Sequence, residues 1–342
     1  MRAMVQTDFG GPEVVRPRAL PDPEPGPADV VVAVTAAALN RLDLLQLRGP
    51  GLLPGFTLPH VAGMDVAGQV VATGAEVGTL RTGDRVVLDP TIGCGHCAAC
   101  VGGNPGYCAT LRVVGGNRPG GFAEYVAVPA AVAHRVPDHV DLADAAALPT
   151  AWSVAWHALH RVGTLRSGES VVIQAATSAV SIAAIQLARA SGAWVIAVAR
   201  SAAKRAAAVS LGADVALDLD DRTAAEVREH TGGHGADLVL DHVGAATWDS
   251  SLASLRTGGR LVLLGNTSGD QVSLSLAQVY HQGLRLLGAG AYAPADFAAM
   301  LDVYFAGGLR VVRGAEYPLA DLPAAYARLE SGDLVGKILI RP

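Results

Sequence analysis

Between residues 150 and 290 the chain alternates short apolar runs with helix-length stretches. The pattern predicts strands over 170–175, 194–199, 214–217, 238–241 and 260–264. Between them it predicts helices over 179–190, 202–211, 223–230 and 247–255. No other feature narrows the fold so far. Parallel strands need a long crossover between them, and helices that make those crossovers cover both faces of the sheet. The expected class is α/β, with a doubly wound parallel sheet.

The first 145 residues have another texture. Short apolar runs at 28–37 (ADVVVAVTAA), 68–73 (GQVVAT), 84–88 (DRVVL) and 124–128 (EYVAV) are bounded by turn residues, as in the antiparallel strands of a small barrel or sandwich. The proline-rich stretch 20–27 (LPDPEPGP) is a loop, and few helices are expected here. The tail adds helices over 294–306 and 322–330 and a last strand over 337–340. A length of 342 residues suits two domains.

Composition excludes whole classes. With 51% hydrophobic and 17% charged residues the chain is no disordered protein. No apolar run is long enough for a bilayer span, so no membrane partner is expected. A net charge of -5 leaves no basic surplus for phosphate backbones, so nucleic acid is excluded as a partner. The opening residues Met1 to Thr7 lack a signal-peptide pattern, which makes a cytoplasmic protein the expectation.

All four cysteines, Cys94, Cys97, Cys100 and Cys108, fall in one C-x2-C-x2-C-x7-C stretch. Four thiolates this close suit one tetrahedral zinc ion, and with four protein ligands no position is left for water. The ion would be structural. Ferredoxin spacing differs, which disfavours an iron–sulfur cluster.

The strand–turn–helix at 170–190 is where a dinucleotide's pyrophosphate would rest on helix N-terminal N–H groups. The glycines of a G-x-G-x-x-G fingerprint are replaced by Ala176, Ser178 and Ser181. Taken alone, this is an ordinary strand–helix turn or a degenerate phosphate turn. At the end of the next strand Ala199 stands where an NAD site usually carries an acid, and Arg200, Ser201 and Lys204 follow. Lys204 is one of only two lysines. Missing acid and added cations favour a 2′-phosphate, hence NADPH.

The chain then resembles the medium-chain dehydrogenase/reductase superfamily, which holds the zinc-type alcohol dehydrogenases and the zeta-crystallin-like quinone oxidoreductases. The resemblance rests on Asn40-Arg-Leu-Asp43 with Arg48-Gly49, Gly63-Met64-Asp65, Gly83-Asp84-Arg85-Val86 and Gly120-Gly-Phe-Ala-Glu-Tyr125. Leu148-Pro149-Thr150, Asp241-His-Val-Gly244 and Gly336-Lys337 extend it over the whole chain. It implies a GroES-like substrate domain over 1–148 and 290–342, with the structural zinc lobe at 93–108, and a Rossmann NADP-binding domain over 149–289. For cofactor contacts it implies Thr177, Ser178, Ala179, Val180, Arg200, Ser201, Lys204, His242, Val243, Gly265 and Lys337. A homodimer or homotetramer is the implied assembly.

The departures from the zinc-type pattern point to a branch. Asn40, Met64 and Thr150 stand where those enzymes carry Cys, His, and Cys or Asp as catalytic zinc ligands. None is a good ligand, and His60 is read as a packed residue. The expected activity is NADPH-dependent hydride transfer to a conjugated C=C or a quinone, in a small-molecule substrate. Asn40 and Thr150 are the candidate catalytic donors, while Asp43 and Asp65 serve equally well as residues that fix the Asn40 loop. The tyrosine that some enoyl reductases place after Arg-Gly is missing from Pro50-Gly-Leu-Leu, so the proton donor is unassigned. The alternatives are a metal-independent carbonyl reductase or alcohol dehydrogenase, and a non-redox biosynthetic enzyme, scaffold or sensor.

Overall fold

The computed structural model describes residues 1–49 and 53–342. The missing-tyrosine reading at Pro50, Gly51 and Leu52 therefore lies outside the described residues. The chain divides into two compact units, Met1–Thr150 with Ala293–Pro342, and Ala151–Tyr292.

The second unit is built on six parallel strands. Across the sheet they run Val215–Leu217, Trp194–Val198, Ser170–Ile173, Ala236–Asp241, Leu255–Leu263 and Arg285–Gly288. Winding begins in the middle at Ser170–Ile173 and goes first one way, then the other. The switch point therefore lies between Ser170–Ile173 and Ala236–Asp241, the crevice where doubly wound sheets bind ligands. Val172, Ile196, Val198, Val239, Leu261 and Trp248 form its packed interior. Buried on both faces, these strands read as apolar runs rather than alternations.

The expected helices 179–190 and 223–230 appear as Ala179–Ala190 and Thr223–His230. The first expected strand stops at Ile173 instead of residue 175, because Ala175 turns the chain with φ +49. The helix expected over 247–255 is only Trp248–Ala253, and the next strand starts at Leu255 rather than residue 260. Helix Leu276–Gln282 and edge strand Arg285–Gly288 were not expected. That helix fully buries no residue: Val279 packs partly against the core, while Leu276 and Tyr280 stay exposed.

In the first unit the strand Asp29–Leu39 is the axis of a seven-stranded sheet. On one edge it pairs antiparallel with Asp65–Thr73. On the other it pairs first with Tyr125–Pro129 and, further along, with Lys337–Arg341. Two register shifts against Asp65–Thr73 bend the strand so that it can serve successive partners. Val30, Val32, Val66, Val70, Phe122, Tyr326, Ile338 and Ile340 fill the core. The strand expected over 28–37 extends to Leu39, and the one expected from residue 68 starts at Asp65. Those added residues carry the site. The helices Arg41–Leu47 and Leu142–Ala146 interrupt a region expected to be nearly helix-free.

Candidate active site

The strand–helix turn after Ser170–Ile173 begins where Ala175 takes a left-handed φ, a conformation that costs an alanine about 1–2 kcal/mol. Such strain collects at functional turns. Ser178 then caps the helix Ala179–Ala190, its Oγ accepting from the Ser181 N–H at 3.1 Å. Thr177 is buried beside it. The Ser181 hydroxyl donates back to the Gln174 carbonyl at 2.7 Å. His242 reaches in from the strand across the switch point, with Nε2 2.9 Å from both Ser178 Oγ and Ser181 Oγ. Burial holds its imidazole below the usual pKa, against a smaller opposing pull from Asp241. Asp241 is itself fully buried and accepts from the N–H groups of Val243 and Gly244 and the hydroxyls of Thr247 and Ser251. Gly265 packs on this turn, where a Cβ would lie 2.8 Å from the His242 carbonyl oxygen. The replaced fingerprint is thus a built hydrogen-bonded turn, with serine hydroxyls and an imidazole where small residues were expected.

Ala199 ends the neighbouring strand region as a buried residue. Arg200 is exposed and has no ion pair among the described residues, and Ser201 caps the helix Ala202–Ser210. Arg205 is engaged with Asp218 at 2.8 Å.

In the first unit, strand register brings four polar residues together. Asp65 is the first residue of its strand and pairs with Ala38, while Ile338, one residue past Lys337, pairs with Leu39. The end of Asp29–Leu39 therefore carries Asp65 on one side, Lys337 on the other and Asn40 at its tip. Lys337 Nζ lies 2.7 Å from Asp65 Oδ2 and 2.8 Å from Asn40 Oδ1. Asp65 Oδ1 accepts from both the N–H (2.9 Å) and the hydroxyl of Thr150. Asp65 is 0% exposed and Lys337 5%. Asp43 accepts from the Asn40 N–H at 2.8 Å and from the Gly63 N–H at 3.3 Å, the second made possible by a φ of +102 at Gly63. Sequence reasoning named Asn40 and Thr150 and gave Asp43 and Asp65 a role in fixing the Asn40 loop, but it read Lys337 as a coenzyme contact and did not foresee that Lys337 joins Asp65 to Asn40. The available signal was a lysine and an aspartate opening otherwise apolar strands.

Burial pushes the Asp43 carboxyl up to about 7, reinforced by Asp65, although the Asn40 N–H and Lys337 oppose it. A carboxyl raised in the folded state favours the protonated form, so stability is full below the ordinary value and falls as pH rises towards 7. Asp43→Asn should remove that slope. Relative to wild type, the variant is expected to gain on the order of 2–3 kcal/mol between about pH 5 and about pH 8. Urea unfolding at the two pH values checks this; a pH-independent difference would contradict it.

The cysteine lobe stands apart from this network. Cys94, Cys97, Cys100 and Cys108 place their sulfurs all within 4.8 Å of one another, with Cys94 and Cys100 at 3.9 Å. A tetrahedral zinc with Zn–S near 2.3 Å requires sulfur separations of about 3.8 Å, so the donors fit. A hydrogen bond from the Thr110 hydroxyl helps push the Cys108 thiol down to about 6. Cys100, despite a Gly95 N–H, is pushed up to about 11 by burial and the surrounding sulfurs. Four adjacent thiols resist joint ionisation until a cation balances them. His60 packs elsewhere, its Nε2 3.0 Å from the Gly115 carbonyl and its ring 4.9 Å from Phe56.

Residues 26–138 match the alcohol dehydrogenase GroES-like domain, and residues 179–306 match the zinc-binding dehydrogenase family. The acryloyl-coenzyme A reductase of Sulfurisphaera tokodaii is 30% identical over 324 residues, covering 94% of this chain and 95% of that protein. The chain belongs to the medium-chain dehydrogenase/reductase superfamily.

Other superfamily members are as similar. The quinone oxidoreductase of Pseudomonas aeruginosa is 30% identical over 344 residues, covering 98% of this chain and 97% of that one. The crystal structure of an NAD-dependent alcohol dehydrogenase superposes with a TM-score of 0.96 at 37% identity, covering 100% of both chains. As a medium-chain dehydrogenase/reductase the protein is an oxidoreductase, which sets aside the scaffold and sensor alternatives. No helix among the described residues is long and apolar enough to cross a membrane.

Proposed function

We propose that the protein is an NADPH-dependent reductase of a conjugated C=C or quinone, with one structural zinc and no catalytic one. One observation carries the reading. Where zinc-type members carry three ligands, this chain has Asn40, Met64 and Thr150, and the neighbouring carboxylate Asp65 is committed to Lys337 and Thr150. Without a metal, an alkoxide developing on a simple ketone loses several kcal/mol of stabilisation. A conjugated acceptor spreads the charge and can use neutral donors. The names of the acryloyl-coenzyme A reductase and the quinone oxidoreductase agree with that class.

Bound coenzyme would supply the hydride. Thr177, Ser178, Ala179 and Val180 would meet its pyrophosphate with backbone N–H groups, beside His242, Val243 and Gly265. Arg200, Ser201 and Lys204 would take the 2′-phosphate. Cys94, Cys97, Cys100 and Cys108 would hold the zinc that organises their lobe. The assembly read here is a homodimer or homotetramer, supported by the open edge strand Arg285–Gly288 and the exposed Leu276 (77%) and Tyr280 (80%) before it.

A second reading, a metal-independent carbonyl reductase or alcohol dehydrogenase, draws support from the 37% identity to the NAD-dependent alcohol dehydrogenase. One experiment separates the two: steady-state rates with enones, quinones and enoyl thioesters against simple ketones and alcohols, each with both coenzymes. Expected is turnover of the conjugated acceptors, with NADPH preferred by about one to two orders of magnitude and Arg200→Ala erasing most of that preference. Turnover confined to ketones or alcohols would promote the second reading. Equal affinity for NADPH and NADH would remove the 2′-phosphate assignment.

A further inference from the structure

The hydrogen-bond inventory around Asn40 fixes more than its position. An ammonium has three donors and no acceptor, so whatever faces Lys337 Nζ must accept. The amide oxygen of Asn40, 2.8 Å away, therefore points at Lys337, and the usual twofold ambiguity of a carboxamide is removed. Nδ2 then points the other way. Its one hydrogen bond among the described residues, to the Ala38 carbonyl, is a weak 3.4 Å. Asn40 is half-buried, whereas Asp65 and Lys337 behind it are buried. The Thr150 hydroxyl has a single proton and gives it to the Asp65 carboxylate. Of the two residues expected to donate to a substrate oxygen, only Asn40 keeps a proton to offer.

We infer that Lys337, held by Asp65, is a positioning residue that turns the Asn40 N–H donors towards the acceptor's carbonyl oxygen. The inference rests on the conjugated-alkene reading above. In the reaction a hydride from the reduced nicotinamide forms a C–H bond at the β-carbon. The C=C π pair moves between the α-carbon and the carbonyl carbon, and the carbonyl π pair moves onto oxygen. Asn40 Nδ2–H donates to that enolate oxygen while the coenzyme leaves oxidised. Water then supplies the proton at the α-carbon. Lys337 behind the amide oxygen polarises the amide, so the N–H strengthens as the enolate charge grows.

Two variants test this. Asn40→Asp keeps an acceptor for Lys337 but removes the donor. Lys337→Met combined with Asp65→Asn removes the orienting cation without leaving a buried charge unpaired. The readouts are urea unfolding, NADPH affinity by fluorescence, kcat and KM for 2-cyclohexen-1-one, and that probe's carbonyl stretch in the unreactive complex with NADP. Expected are folded proteins, with NADPH affinity nearly unchanged in Asn40→Asp, and kcat lowered in both by about 10²–10³-fold, the size typical for a lost oxyanion donor. The carbonyl stretch, lowered in the wild type, should return towards its solution value in both. A kcat within about threefold of wild type in Asn40→Asp, or a wild-type stretch in the double variant, overturns the inference. A wild type active only on simple ketones or alcohols rejects the alkene reading instead. The carbonyl stretch of bound cyclohexanone in the same variants then decides the role of Lys337.

Discussion

Cys97→Ser is expected to destabilise the protein by several kcal/mol and to lower its zinc content below one equivalent per chain. In small metal domains the binding free energy of structural zinc, apparently about 10–16 kcal/mol, is folding free energy. Here the ion closes one lobe of a larger unit, so the loss is a fraction of that. The lobe between strands Thr91–Ile92 and Arg112–Val113 has only short helical pieces, Ala98–Val101 and Pro105–Tyr107, and neither buries a residue. Without the ion, little apolar packing remains to order it. The surviving folded fraction should keep its kcat, because Cys94, Cys97, Cys100 and Cys108 touch none of Asn40, Asp65, Thr150 or Lys337. Elemental analysis and thermal unfolding in the presence of a chelator check both halves. Two equivalents of zinc in the wild type, or a fully folded variant without turnover, would contradict this assignment.

Asp65→Ala is expected to cost about 3–5 kcal/mol, the usual penalty for stripping one partner from a buried ion pair. The variant strands the Lys337 ammonium and leaves both the N–H and the hydroxyl of Thr150 without their acceptor. Adding Lys337→Met should recover a large part of the loss, since most of the penalty belongs to the uncompensated charge. The double-mutant cycle by urea denaturation gives a coupling energy that area burial cannot mimic. A single-variant cost below about 1 kcal/mol would mean that water solvates Lys337 in place of Asp65. The exposed pair Arg48–Glu330 supplies the control, with little expected from either partner.

Local physics made much of the molecule legible in advance. Strand–helix alternation is set by side-chain periodicity and turn residues, which act within a few positions, so helices Ala179–Ala190 and Thr223–His230 could be read directly. The cysteine cluster was equally plain, because its four ligands lie within one loop. Helix Leu276–Gln282 escaped because it is seven residues long and mostly exposed, with Val279 only partly packed, and the strand beginning at Asp65 was read short because a charge opens it.

The chemistry of the reaction site was decided elsewhere. Lys337 meets Asn40 across 297 positions of sequence and Asp65 across 272, while Thr150 meets Asp65 across 85. The sequence alone determined which side chains exist and that four cysteines share one loop. Only the folded sheet, by placing two strand ends beside the tip of Asp29–Leu39, decided which proton each group keeps. Donor and acceptor roles belong to pairs of groups in space, and no periodicity along the chain encodes them.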